Sequence, residues 1–139
     1  YPESKCSPAR AIDMIEQFGS FKPFEDVTVN GELTLGENIG DLGGLTIAYR
    51  AYLLSLKGEE APIIAGFTGA QRFFLGWSQV WARKYRESEL RRRLMTDPHS
   101  PSAYRVLGII SNMPEFYAAF GLKEGDRLFR PEGVRVKIW

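Results

Sequence analysis

The chain has 139 residues, enough for one domain with a buried core. Hydrophobic residues make up 44% and charged residues 25%, which excludes disorder and collagen-like repeats. The net charge of +1 excludes a strong field toward nucleic acid or acidic lipid.

Cys6 is the one cysteine, so no intrachain disulfide can form, and it reads as a bystander. No apolar run approaches the roughly 18 residues of a membrane helix. No signal peptide is visible after Tyr1, yet an N-terminal address could lie in upstream sequence.

In chain order, Ser7-Pro8 predicts a helix start, with Ala11, Met14, Ile15 and Phe18 at helical spacing and Gly19 as the stop. Val27 and Val29, then Leu33 and Leu35, alternate with polar residues around Asn30-Gly31, which predicts a tight β-hairpin. A long helix is expected from near Gly36 to about Lys57, with Thr34 and Glu37 spaced as a capping box. Its apolar stripe is Ile39, Leu42, Leu45, Tyr49, Leu53 and Leu56, while Gly40, Gly43 and Gly44 fall on another side and suggest close approach of a second backbone.

Residues 59–68 read as a loop. A second helix from Gly69 to about Arg86 carries Phe73, Phe74, Trp77, Val80, Trp81 and Tyr85, a stripe expected to be core. Leu90 and Leu94 continue a shorter helix, where Arg91-Arg92-Arg93 after Glu87 and Glu89 reads as a solvated face of mixed charge. Pro98 and Pro101 bracket His99, and Asn112 with Glu115 predicts a capped short helix through Phe120, ended by Gly121. Val134, Val136 and Ile138 alternate in an extended tail. The fold class is mainly α with a small β-hairpin, and no domain boundary is visible.

Two features carry chemistry. Glu37 and Asp41 lie at i and i+4, on nearly one side of the long helix. Glu37 alone is compatible with a cap, a helix-dipole acid or a surface charge. Asp41 falls inside or beside the apolar stripe, where a carboxylate requires a positive or hydrogen-bonding partner. The second feature is Asp97, His99 and Arg105. His99 is the one histidine, so no zinc site can be completed within this chain unless chains share ligands. A carboxylate two residues away can orient its imidazole, and Ser100-Pro101 offers a helix start that leads to Arg105.

The run from Val29 to Leu45, with Gly36-Glu37-Asn38 followed by Asp41, resembles a signature of the neprilysin-type zinc metallopeptidases, which include neprilysin, endothelin-converting enzyme and bacterial oligopeptidases. Asp97-Pro98-His99-Ser100-Pro101 followed by Arg105 resembles the second signature of that family, and the likeness extends from about Phe18 to Trp139. The resemblance implies that residues 1–139 are the single C-terminal portion of a peptidase catalytic domain, a helical subdomain of a zincin-like fold. It implies Glu37 as third zinc ligand, Asp41 as the group orienting a metal-bound histidine, and Asp97 as the group orienting His99. His99 would then stabilise the oxyanion and Arg105 would bind a substrate carbonyl. The H-E-x-x-H helix with the other two ligands and the general base is not in this chain.

The implied partners are peptide substrates and the upstream part of the same polypeptide, without nucleic acid. The chain alone is expected to be inactive and to self-associate through uncovered apolar surface. Lack of the cysteines of extracellular animal members points to a bacterial-type member. Because members of the family usually work outside the cytosol, the resemblance implies an extracytoplasmic location, periplasmic or secreted. The alternatives are a non-catalytic helical module binding peptide or protein, and, ranked last, a structural bundle in which Glu37 and His99 merely cap helices.

Overall fold

The computed structural model describes residues 8–138, which form six α-helices and one 3-10 turn. These are α1 (Pro8–Gly19), α2 (Gly31–Ser55), α3 (Gly69–Val80), α4 (Glu87–Thr96), α5 (Ser102–Ile110) and α6 (Pro114–Phe120), with the 3-10 turn at Glu132–Val134. The mainly helical expectation holds. The hairpin does not: Phe24 with Val27 and Ile64 with Phe67 form only isolated bridges.

The segment expected to turn back is instead the start of α2. Asn30 adopts an extended conformation and its side chain accepts from the Leu33 N–H at 3.0 Å, capping the helix. α2 therefore begins five residues before Gly36. Thr34 is no cap; buried in the second turn, its hydroxyl donates to the Asn30 carbonyl at 2.9 Å. Gly31 lies where α1 crosses α2, and a Cβ there would run into the backbone carbonyl of Ile15. Close approach thus falls on Gly31, whereas Gly40 and Gly44 face open space.

Met14 and Phe18 of α1, Leu42, Leu45 and Tyr49 of α2, Phe74 of α3 and Ile109 of α5 share one core. Tyr49, Phe73, Phe74 and Phe116 stack or meet edge to face within it, at centroid separations of 5.1–5.4 Å. α3 stops at Val80, short of the expected Arg86, and Val80 itself is exposed. α6 starts with Pro114 after Met113 rather than at Asn112, and Gly121 ends it in the left-handed region at φ 65°.

Asn112 has a different use. Its amide donates to Gln17 Oε1 and the Gly108 carbonyl, and its Oδ1 accepts from the Val136 N–H at 2.9 Å. This buried polar knot ties α1, the end of α5 and the C-terminal segment together. Of the three residues expected to alternate in an extended tail, Val136 and Ile138 are buried, whereas Val134 belongs to the 3-10 turn and is exposed. Ser7, Cys6 and Trp139 lie outside the described residues. Among those residues, no helix is long and apolar enough to cross a membrane.

Candidate active site

Pro98 disfavours helix at the residue before it, so α4 ends at Thr96 and Asp97 turns to an extended conformation. That turn directs both Asp97 oxygens to use. Oδ1 accepts from the backbone N–H of His99 at 2.9 Å and lies 2.7 Å from its ring Nδ1, while Oδ2 accepts from Arg93 at 2.7 Å. Burial pushes the Asp97 carboxyl up, but the two His99 hydrogen bonds and the charges of His99 and Arg93 hold it below its ordinary value.

The other ring nitrogen, Nε2, lies 3.1 Å from Oε2 of Glu37. Both nitrogens thus face carboxylates, and only the imidazolium form donates to both. Glu37 and His99 remain nearly half exposed, at 43% and 45%, so this rim is open to an incoming ligand.

One turn along α2, Asp41 receives the partner that its burial demands. Arg105 donates to it bidentately, at 2.5 Å from Nε and 2.6 Å from Nη2, with side-chain exposures of 11% and 9%. The guanidinium also lies 4.0 Å from the centre of the Trp81 ring, and Nη2 is 3.7 Å from Glu37. Trp77 donates from its indole nitrogen to the Arg105 carbonyl at 3.3 Å.

The two sequence signatures, 56 residues apart from Asp41 to Asp97, therefore meet at one place: Glu37, Asp41, Asp97, His99 and Arg105 form a continuous set of contacts. Two further members, Asn38 and Trp81, are present in the sequence motifs without an expected role at the site. Asn38, fully buried, donates to Thr34 Oγ1 at 3.0 Å and accepts from Ser100 Oγ at 2.9 Å, clasping α2 to the His99 loop. A polar residue between Thr34 and Leu42 on the buried side of α2 was the available signal. Trp81, assigned to the core by its spacing, instead lies past the end of α3 and forms a wall of the site beside Arg105.

Chemically, the arrangement offers a carboxylate open to a cation and an imidazole N–H aimed beside it. It also offers a guanidinium held rigid by two oxygens and a ring. The model of the family described as peptidase family M13 matches residues 2–136. The chain belongs to this family.

Endothelin-converting enzyme 1 of Homo sapiens is 40% identical over 129 residues, covering 91% of this chain and 16% of that protein. Membrane metallo-endopeptidase-like 1 of Mus musculus is 41% identical over 91% of this chain and 17% of its own length. The zinc metalloprotease ZMP1 of Mycobacterium tuberculosis, solved with an inhibitor, matches with a TM-score of 0.92 at 48% identity, over 94% of this chain and 21% of that one. The chain thus spans about one sixth of the length of these curated relatives.

Proposed function

We propose that residues 1–139 are the C-terminal portion of the catalytic domain of a zinc metalloendopeptidase that hydrolyses oligopeptides. The observation that carries this reading is the approach of His99 Nε2 to within 3.1 Å of Glu37 Oε2, which joins the two signatures in a single centre.

Glu37 fits a zinc ion as one oxygen ligand, being a half-exposed carboxylate on a rigid helix. Among the described residues no group of three His, Cys, Asp or Glu is arranged to hold a metal, so the reading takes the other ligands from outside this chain. When bound, zinc supplies Lewis-acid chemistry to the reaction.

The chain's own residues do the rest of what falls to it. His99, held by Asp97, donates from Nε2 to the oxygen on which charge develops during attack on the peptide carbonyl. Arg105 is pinned through Nε and Nη2, leaving Nη1 to hold a substrate carbonyl. Asp41 fixes that guanidinium, and its remaining lone pairs can accept from a ligating imidazole. The rest of the polypeptide covers the open side of α2 and carries the general base. Alone, the chain binds zinc weakly, does not turn over peptide and self-associates. By the same reading the enzyme works outside the cytoplasm.

The test uses the complete polypeptide. Glu37→Gln should strip zinc, measured as metal stoichiometry after dialysis. His99→Ala should keep zinc and lower kcat by about 10²–10³-fold, the scale of one oxyanion donor. Full activity in His99→Ala, or full zinc in Glu37→Gln, overturns the assignment.

A further inference from the structure

A cavity of about 440 Å³ opens between the α3–α4 connection and the Asp97–Arg105 stretch. Its walls include His99 and Arg105 and also Trp81, Arg83, Tyr85 and Arg93. Asp97 is the one carboxylate residue among its lining, against three arginines and a histidine. The pairing of these charges is uneven. Arg93 is met by Glu89 and Asp97, and Arg105 by Asp41. Arg83 makes no ion pair with any described carboxylate. It stands with its guanidinium carbon 5.4 Å from the centre of the Trp81 ring, on the same ring that Arg105 covers.

An unpaired guanidinium at an aromatic wall suits a planar anion. The ring face holds the cation beside it, and the fork of N–H donors matches two carboxylate oxygens. We infer that this cavity takes a carboxylate of the peptide substrate, with Arg83 as the residue that selects it. The inference rests on the proposed peptidase reading and adds a preference to it. The carboxylate comes either from an Asp or Glu side chain or from the peptide's free C-terminus.

The complete, zinc-loaded enzyme is assayed on one cleavable peptide. Glu, Gln, Leu or Lys is placed in turn at each position around the cut, and the C-terminus is left free or amidated. Both kcat/KM and Kd by fluorescence anisotropy are measured. Glu should exceed Gln by about fivefold at one position, the upper range for a solvent-accessible ion pair. If the C-terminus is the source, amidation should give that loss instead. Arg83→Gln should erase the difference, and Arg83→Glu should turn the preference toward Lys. Arg83 is exposed on a non-helical segment, and an unchanged circular dichroism spectrum checks that the variants fold.

Equal treatment of Glu and Gln together with indifference to amidation overturns the inference, as does a preference that survives Arg83→Gln. If no peptide is cut by any form, the peptidase reading fails. The Kd ratios of the same peptides then still decide whether Arg83 selects a carboxylate.

Discussion

Asp41 and Arg105 show how a single buried charge organises the site. Each is about nine-tenths buried, and the two are joined by a bidentate pair stacked on Trp81. Such a pair contributes little net stability over an apolar replacement, but losing one member strands the other without solvent. Asp41→Ala should therefore lower unfolding stability by about 3–5 kcal/mol. The double variant Asp41→Leu with Arg105→Met should recover most of it, read from denaturant midpoints. If Asp41→Ala is neutral, the guanidinium is not held there. Asn38 illustrates a quieter dependence. Its two hydrogen bonds span α2 and the His99 loop, so an apolar replacement leaves Ser100 without its acceptor.

At the scale of elements, α4 is a helix whose solvent face is wired by charge. Arg91 bonds Glu87 and reaches across to Asp26, Arg92 holds Glu89, and Arg93 holds Glu89 and Asp97. The mixed-charge reading of this run was legible in the sequence because partners at i+3 and i+4 are set by helix geometry. The hydrogen bonds from Arg92 and then Arg93 pull the Glu89 carboxyl down from 4.5 to about 2. Its folded value lies below its unfolded one, so its contribution is complete above about pH 4.5 and disappears as pH falls through about 2. A carbon-detected NMR titration should place the Glu89 midpoint near 2, and Arg92→Gln should move it back toward 4.5. A midpoint of 4.5 in the unaltered protein would show the pairs to be absent in solution.

At this same scale the Asn30-Gly31 pair starts a helix where a hairpin is expected. Asn followed by Gly favours a two-residue hairpin, but asparagine is equally suited to an N-cap. Local sequence does not decide between them. What decides is α1: its backbone at Ile15 closes on Gly31, rewarding the helical start with burial of Val29 and Thr34.

Across the whole molecule, one side of α2 is packed and the other is bare. Gly36, Gly40 and Gly44 meet nothing, and Leu33 and Ile47 beside them are exposed. The two kinds of glycine can be separated by substitution. Gly31→Ala should destabilise by about 1–3 kcal/mol through overpacking against Ile15. In the 139-residue chain, Gly40→Ala should instead stabilise by up to about 1 kcal/mol, since a methyl there costs no contact and the helix gains. In the complete polypeptide that gain should vanish or reverse if the remainder of the enzyme seats on this side. Thermal unfolding of both variants in both contexts is the measurement, and an equal gain in both contexts would remove the covering role.

By itself the sequence determined the helical class and most core positions on α1, α2 and α3, though Leu53 and Val80 of the expected stripes are exposed. It also named five polar residues that the fold brings together. Helical periodicity, and signatures that resemble those of known enzymes, are local properties of the chain and do not depend on its packing. Only the tertiary structure decided which of those residues touch. That Asp41 answers Arg105, that Trp81 leaves the core to wall the cavity, that Asn38 clasps Ser100, and that Arg83 stands unpaired beside it all depend on how α2, α5 and the segment after α3 pack together. Contacts across 60 residues follow from packing, and spacing along the chain carries no record of them. Glu37 and His99, named from separate motifs, became neighbours only when the fold set them 3.1 Å apart.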